Sequence, residues 1–328
     1  MSRAPGEERH PNSIKKIYMG DRIFRPENER YLSHWINVGN EFHFLVVRAE
    51  EGPNEILLHN LRIPDLLRVL SNKYLRSLPR RAFVTEPKVV LPHLHWPVLR
   101  RVFREILWLG RPQAEKTYAN PYKFPSAMPL EMGQERKQAA AFIFSNKISM
   151  TKGELYTLRR QVASSATNVE VFGSGWNRPL GQRLAMVVKE TGIALVNPMT
   201  LRNGARNLNA APQKYLGVAG DKICTLRDYK VCIVIENSLE SVTEKIFDAW
   251  VAGCIPVYVG PDLASLDFPS SLFIQAAPEL DSVLHSLDLA LRMNHEQYKK
   301  ELDNWLPNSK AIEFWSWKIG MNRVINPQ

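Results

Sequence analysis

The sequence predicts an α/β protein made of two doubly wound units, each a parallel sheet covered by helices, and three observations carry that reading. Short apolar, β-rich runs alternate with helical periodicity along most of the chain. The alternation stops at a polar, proline-rich stretch and then restarts. The length, 328 residues, is enough for two medium domains with sizeable cores. Two doubly wound domains facing one another place their strand C-termini, and hence the ligand crevice, at a central cleft.

Taken in order, Phe42–Val47 reads as a strand, Ile63, Leu66, Leu67, Leu70 and Tyr74 recur at helix spacing, and Ala82–Thr85 reads as a strand again. Residues 110–136 hold the proline-rich linker, so the first domain is expected to end at 136. Beyond it come a strand at Ala139–Phe144, a helix through Leu155–Val162, and strands at Val169–Phe172 and Lys230–Ile235. A helix at Thr243–Ala252, a strand at Ile255–Val259 and a helical region from Pro278 to Asn304 complete the second domain, 137–308. The last segment, 309–328, reads as a helix burying the aromatic face of Phe314, Trp315 and Trp317 and crossing back to the first domain.

Composition excludes several classes. With 45% hydrophobic and 23% charged residues the chain is globular rather than disordered or fibrous. Three cysteines with no CxxC spacing make neither a disulfide framework nor a zinc site, which points to a reducing, cytoplasmic setting. The first residues lack an apolar core and no apolar run approaches 18 residues, so neither a signal peptide nor a membrane span is expected. The net charge is +10. Such a surplus points to an anionic partner without selecting one.

The window Tyr229–Ile274 is the most informative. A buried strand runs into the polar turn Glu236-Asn237-Ser238, and a helix follows at once. Ser241 and Glu244 have the spacing of a capping box, which would set the helix start. Lys245 then lies in the first turn, where a cation opposes the helix dipole and calls for an anion. A strand end, a polar turn and a helix N-terminus beside a lysine make a phosphate cradle.

The string YKVCIVIENS followed by VTEKIFDAWVAGCIPVYVG resembles the signature of the α1,3/α1,4-fucosyltransferase family, glycosyltransferase family 10, over about 45 residues. The resemblance implies a GT-B fold with an acceptor-binding first domain and a donor-binding second one. It implies inverting transfer of fucose from GDP-β-L-fucose to a glycan hydroxyl, with no cofactor required. By the same resemblance Asn237, Glu244 and Lys245 bind the donor, together with Tyr229 and Ser241, the lysine at the diphosphate. The loop VFGSGWNRP is similar to the family's phosphate loop, so Gly173, Gly175 and Arg178 are expected at the donor. RAFVTEPKVVLP resembles the segment carrying the catalytic base, which assigns that role to Glu86. Ser241 stands where the family has tyrosine, which keeps another nucleotide-sugar donor open.

No Asp-x-Asp pair occurs, so no metal site is expected. His93 and His95 fall on one side of an extended segment and are assigned to acceptor contact. A third reading, a non-catalytic protein binding nucleic acid or an anionic surface, rests on the basic charge alone and lacks a nucleic-acid-binding motif. Up to Arg136 there are 22 Lys and Arg against 15 Asp and Glu, and after it 21 against 18. The surplus therefore belongs to the acceptor half. An anionic or lipid-linked glycan, or a membrane face, is the expected partner rather than nucleic acid, with Arg80, Arg81, Arg100, Arg101 and Arg104 as its contacts.

Overall fold

The computed structural model describes residues 14–60, 63–91, 99–110, 117–118, 135–149, 151–177, 179, 181–182, 211–309, 312–313 and 315–326. The first sheet comprises β1 (Lys15–Tyr18), β2 (Phe44–Val46), β3 (Glu55–His59), β4 (Arg80–Val84), β5 (Glu105–Leu109) and β6 (Thr117–Tyr118), in the order β2-β1-β3-β4-β5-β6. The second comprises β7 (Lys137–Ile143), β8 (Val169–Phe172), β9 (Tyr229–Ile235), β10 (Ile255–Val259) and β11 (Ile274–Gln275), in the order β11-β10-β9-β7-β8. Its strands are parallel throughout. The chain divides into two compact units, Met1–Val84 with Trp96–Leu107, and Thr85–His95 with Trp108–Gln328. The segment that carries Glu86, expected in the first domain, thus groups with the second.

In each sheet the second strand in sequence pairs on one side of the first and the third pairs on the other, so the direction of winding reverses at the first strand. The expected strands at Val169–Phe172 and Ile255–Val259 form at those residues. All seven residues of β9 and all five of β10 are buried, as befits a parallel sheet covered on both faces.

The helices of the first unit are α1 (Glu29–Phe42), α2 (Ile63–Ser71), α3 (Lys73–Ser77) and α4 (Leu99–Val102). Those of the second are α5 (Tyr156–Ser165), α6 (Lys222–Arg227), α7 (Glu244–Val251), α8 (Leu280–Arg292), α9 (His295–Trp305) and α10 (Trp317–Ile325). The helical region expected from 278 to 304 is two helices, because Met293 turns extended and the Asn294 side chain caps α9 through the Gln297 N–H. Trp315 packs on Phe247 and Phe268 in the core of the second unit. No helix among the described residues is long and apolar enough to cross a membrane.

Charged residues at the strand N-termini serve the fold. In the first sheet Arg81 is buried and donates to Glu55, which Lys15 also meets at 2.6 Å. Arg80 donates to the Val102 carbonyl at 2.8 Å and to the Arg76 carbonyl. The expectation that this arginine pair faces an acceptor is therefore corrected: both side chains are held inside the first unit, at the edge of the sheet opposite the strand C-termini.

Candidate functional site

The second unit holds a cavity of about 660 Å³. It opens where β7 and β9, the first and third strands of that sheet, part company, which is the place where doubly wound sheets bind ligands. Phe144, Ser145 and Lys147 line it after β7, Gly173 and Ser174 after β8, and Asn237 after β9. The head of α7 adds Thr243, Glu244 and Lys245, and Arg159, Lys222, Asp248 and Glu86 complete its charged lining.

Gly173 is required by close approach. Its φ is +132°, and a Cβ there would lie 1.9 Å from the Phe144 carbonyl oxygen. Its amide donates to the Gly217 carbonyl at 2.8 Å, which ties the loop after β8 to a neighbouring segment.

The start of α7 differs from the expected capping box. Thr243, not Ser241, is the N-cap, and its own side chain caps nothing. Instead the fully buried Glu236 accepts the Thr243 N–H at 2.8 Å and the Thr243 hydroxyl at 2.6 Å. The carboxylate thus satisfies an otherwise orphaned donor and sits at the positive end of the helix dipole. The Lys245 ammonium donates to the Thr243 hydroxyl at 2.7 Å and lies 3.5 Å from Glu236, which resolves the expected conflict between this cation and the helix N-terminus. Tyr258, at the same spot, has its phenol pushed up by burial and then by Glu236.

Arg159 supplies a second cation. It lies on α5, is 3% exposed, and donates to the Ile235 carbonyl through Nε at 3.0 Å and through Nη2 at 2.5 Å. Nη2 also reaches the Asn237 side-chain oxygen at 3.0 Å, and the guanidinium stacks 4.9 Å from the Tyr156 ring centroid. Burial pulls its pKa down, yet an arginine remains a cation in water-accessible pH.

The acids are graded by their surroundings. Glu244 is half exposed; burial pushes its carboxyl up, but Lys245 and Lys222 outweigh that and its pKa falls. At Lys222 burial opposes the charge, yet Asp248 at 2.6 Å and Glu244 raise the pKa. Glu86 behaves oppositely. Burial raises its carboxyl, and Lys147 and Lys245 offset this only in part. Two acids in one cavity with pKa values pushed apart is the arrangement expected of a fixed anion beside a proton acceptor.

Of the residues singled out in the sequence, Glu86, Gly173, Asn237, Glu244 and Lys245 meet at this cavity. Gly175 packs beside Asn146 rather than lining it. Ser241 is 1% exposed, with its hydroxyl unbonded among the described residues, and is not part of the lining. Tyr229 lies at the N-terminal end of β9, where its hydroxyl donates to Glu170. Arg178, His93 and His95 lie outside the described residues. Arg159, Lys147, Lys222 and Glu236 were not anticipated. Arg159 had a signal: it sits with Leu155, Leu158 and Val162 on the apolar stripe of α5, where a cation is out of place.

No protein-family model and no curated protein sequence matches the chain. Among solved structures it is similar to an α1,3-fucosyltransferase, with a TM-score of 0.53 and 14% identity over 99% of this chain and 94% of that one. An α1,3-fucosyltransferase with GDP-fucose gives a TM-score of 0.50 and 13% identity over 99% and 95%. Anabaena Alr3699/HepE in complex with UDP-glucose gives 0.53 and 12% over 94% and 98%. These likenesses define the class of fold: the chain is an α/β protein of the GT-B type, with two parallel-sheet units.

Proposed function

We propose that the chain is a glycosyltransferase that moves fucose from GDP-fucose to a glycan hydroxyl with inversion at the anomeric carbon. The observation that carries the reading is the pairing, in one strand-end cavity, of the cations Arg159 and Lys245 with the raised carboxyl of Glu86. Arg159 and Lys245 hold the diphosphate and stabilise the charge that develops as the bond to the sugar breaks. Arg178 joins them by the family resemblance. Asn237 and Glu244 orient the donor sugar. Glu86 takes the proton from the acceptor hydroxyl while its oxygen attacks the anomeric carbon, and GDP leaves from the opposite face.

The test is GDP release from GDP-fucose with a panel of glycan acceptors, comparing wild type with Lys245→Ala and Glu86→Gln. Loss of turnover in both variants supports the assignment, and unchanged turnover overturns it. A second reading keeps the mechanism and changes the donor. It is favoured by Ser241 in place of the family's tyrosine and by the equal TM-scores of a fucosyltransferase and a protein holding UDP-glucose. Thermal-shift measurements with GDP, UDP and their sugars separate the two, since a ligand of the native state raises its melting temperature.

A further inference from the structure

We propose that the first unit carries a binding site for an acidic sugar, one bearing a carboxylate or a phosphate, at the cavity between Arg22, Arg25 and Arg68. The inference rests on the glycosyl-transfer reading for its role as an acceptor subsite, but not for its chemistry. The cavity holds about 370 Å³ and is lined by Asp21, Arg22, Arg25, Pro64, Asp65 and Arg68. That volume falls in the range of small-molecule sites, about 300–1,000 Å³.

Its position follows from topology. Asp21, Arg22 and Arg25 lie just beyond the C-terminus of β1, and Pro64, Asp65 and Arg68 lie on α2, which follows β3. Because β2 and β3 flank β1 on opposite sides, this is the switch point of the first sheet, the equivalent of the β7/β9 position in the second.

Two of the cavity's side chains, Asp21 and Arg68, are held in place by hydrogen bonds, and the exposed Arg22 and Arg25 stand beside them. Both Asp21 oxygens are taken, one by the Tyr18 hydroxyl at 2.8 Å and the other by Arg68 Nε at 2.9 Å. Gly20, at φ +101°, lets the chain pass Asp65, since a Cβ there would sit 2.8 Å from an Asp65 oxygen. Beside the fixed Asp21, Arg22 has no hydrogen-bond or ion-pair partner for its guanidinium among the described residues. Arg25 has only a 4.0 Å contact with the exposed Glu27.

Charge selection follows. Arg80 and Arg81, the cations that the sequence offered for an anionic partner, are used inside the fold at the opposite strand edge, which leaves Arg22 and Arg25 as cations at the ligand edge. A guanidinium grips a carboxylate or phosphate through two parallel N–H groups, and the neighbouring Arg68, whose Nε alone is taken by Asp21, offers a further donor for sugar hydroxyls.

The experiment is ligand-observed NMR titration at low salt with methyl β-D-glucuronide, methyl β-D-glucoside 6-phosphate, neutral methyl β-D-glucoside and inorganic phosphate. Each is titrated into wild type, the double variant Arg22→Gln/Arg25→Gln, and Arg292→Gln, which removes an exposed cation of α8. The acidic sugars should bind wild type and Arg292→Gln at least about tenfold more tightly than the neutral one, and the double variant should lose that preference while keeping its GDP affinity. Which of the two acidic sugars binds better identifies the anion. Equal binding of neutral and acidic sugars, a preference that survives in the double variant, or inorganic phosphate binding as well as the sugar phosphate overturns the proposal. A loss of GDP affinity in the double variant also overturns it. Failure of wild type to bind any nucleotide would instead count against the glycosyl-transfer reading and leave the sugar titration to decide the site.

Discussion

The Arg159 guanidinium donates to the side-chain oxygen of Asn237 at 3.0 Å, which turns the asparagine amide nitrogen away from the arginine. One buried cation therefore positions the residue after β9 while presenting its own charge to the cavity. Arg159→Lys keeps a charge but cannot reach Ile235 and Asn237 together, because an ammonium lacks the planar fork. GDP affinity, measured by calorimetry, should fall by about tenfold or more, and Arg159→Met should also lose about 1–3 kcal/mol of stability by orphaning the Ile235 carbonyl. Unchanged GDP affinity in both variants would remove Arg159 from the donor site.

Glu236 separates scaffold from chemistry. Its carboxylate takes two bonds from Thr243 and lies beside Lys245, so Glu236→Ala leaves a helix start and an ammonium without their anion. Breaking a buried pair in this way costs about 3–5 kcal/mol. Thr243→Val is the finer probe: it keeps the backbone bond to Glu236 and removes only the hydroxyl between carboxylate and ammonium. Lys245 then loses its 2.7 Å tether and Glu236 one of its two bonds from Thr243, so KM for the donor should rise, with a stability loss of about 1–3 kcal/mol, smaller than that of Glu236→Ala.

What could be read in advance follows from range in sequence. The strands β8 and β10 and the helix α5 announce themselves within a dozen residues, through continuous apolar runs or 3.6-residue periodicity. Glu244 and Lys245 were legible for the same reason, as parts of one local window. Arg159 meets the strand end 76 residues away and Asn237 78 residues away, and no local pattern encodes that pairing. The capping box failed through the same blindness: Ser241 has the right spacing to Glu244, but a carboxylate seven residues before Thr243 reaches the N-cap amide first. The short strands β1 and β3 carry no such local signal, because their polar first residues, Lys15 and Glu55, break the apolar run, and Glu55 meets Lys15 and Arg81 only when distant strands are brought together.

Tyr229 and Glu170 are hydrogen-bonded to each other on the N-terminal halves of β9 and β8, outside the lining of the cavity. Burial pushes the Glu170 carboxyl up, but bonds from Lys214, Tyr229 and Lys137 prevail and bring it from 4.5 to about 2. A carboxyl depressed on folding stabilises the protein above its unfolded pKa, and that contribution is lost as pH falls from 4.5 towards 2. Glu170→Gln should therefore be less stable than wild type at neutral pH, with the gap in denaturation free energy narrowing through that acid range. Tyr229→Phe should cost about 1 kcal/mol and leave GDP affinity intact. A large loss of GDP affinity would return Tyr229 to the donor site.

Glu86 should trade stability for reactivity. Its pKa is raised by burial, so the folded chain holds this proton more tightly than the unfolded one. The ionised group destabilises the native state above its folded pKa, and the penalty disappears below the ordinary carboxylate value, about 4.3. Glu86→Gln should accordingly melt at a higher temperature than wild type at pH 7.5 and converge with it as the pH is lowered. The same shift moves the acid limb of kcat/KM upward, because only the deprotonated carboxylate can accept the hydroxyl proton, and the limb should vanish from whatever activity Glu86→Gln retains. An acid limb at the ordinary carboxylate value, together with no gain in melting temperature, would show that Glu86 is a solvated surface acid with no part in proton transfer.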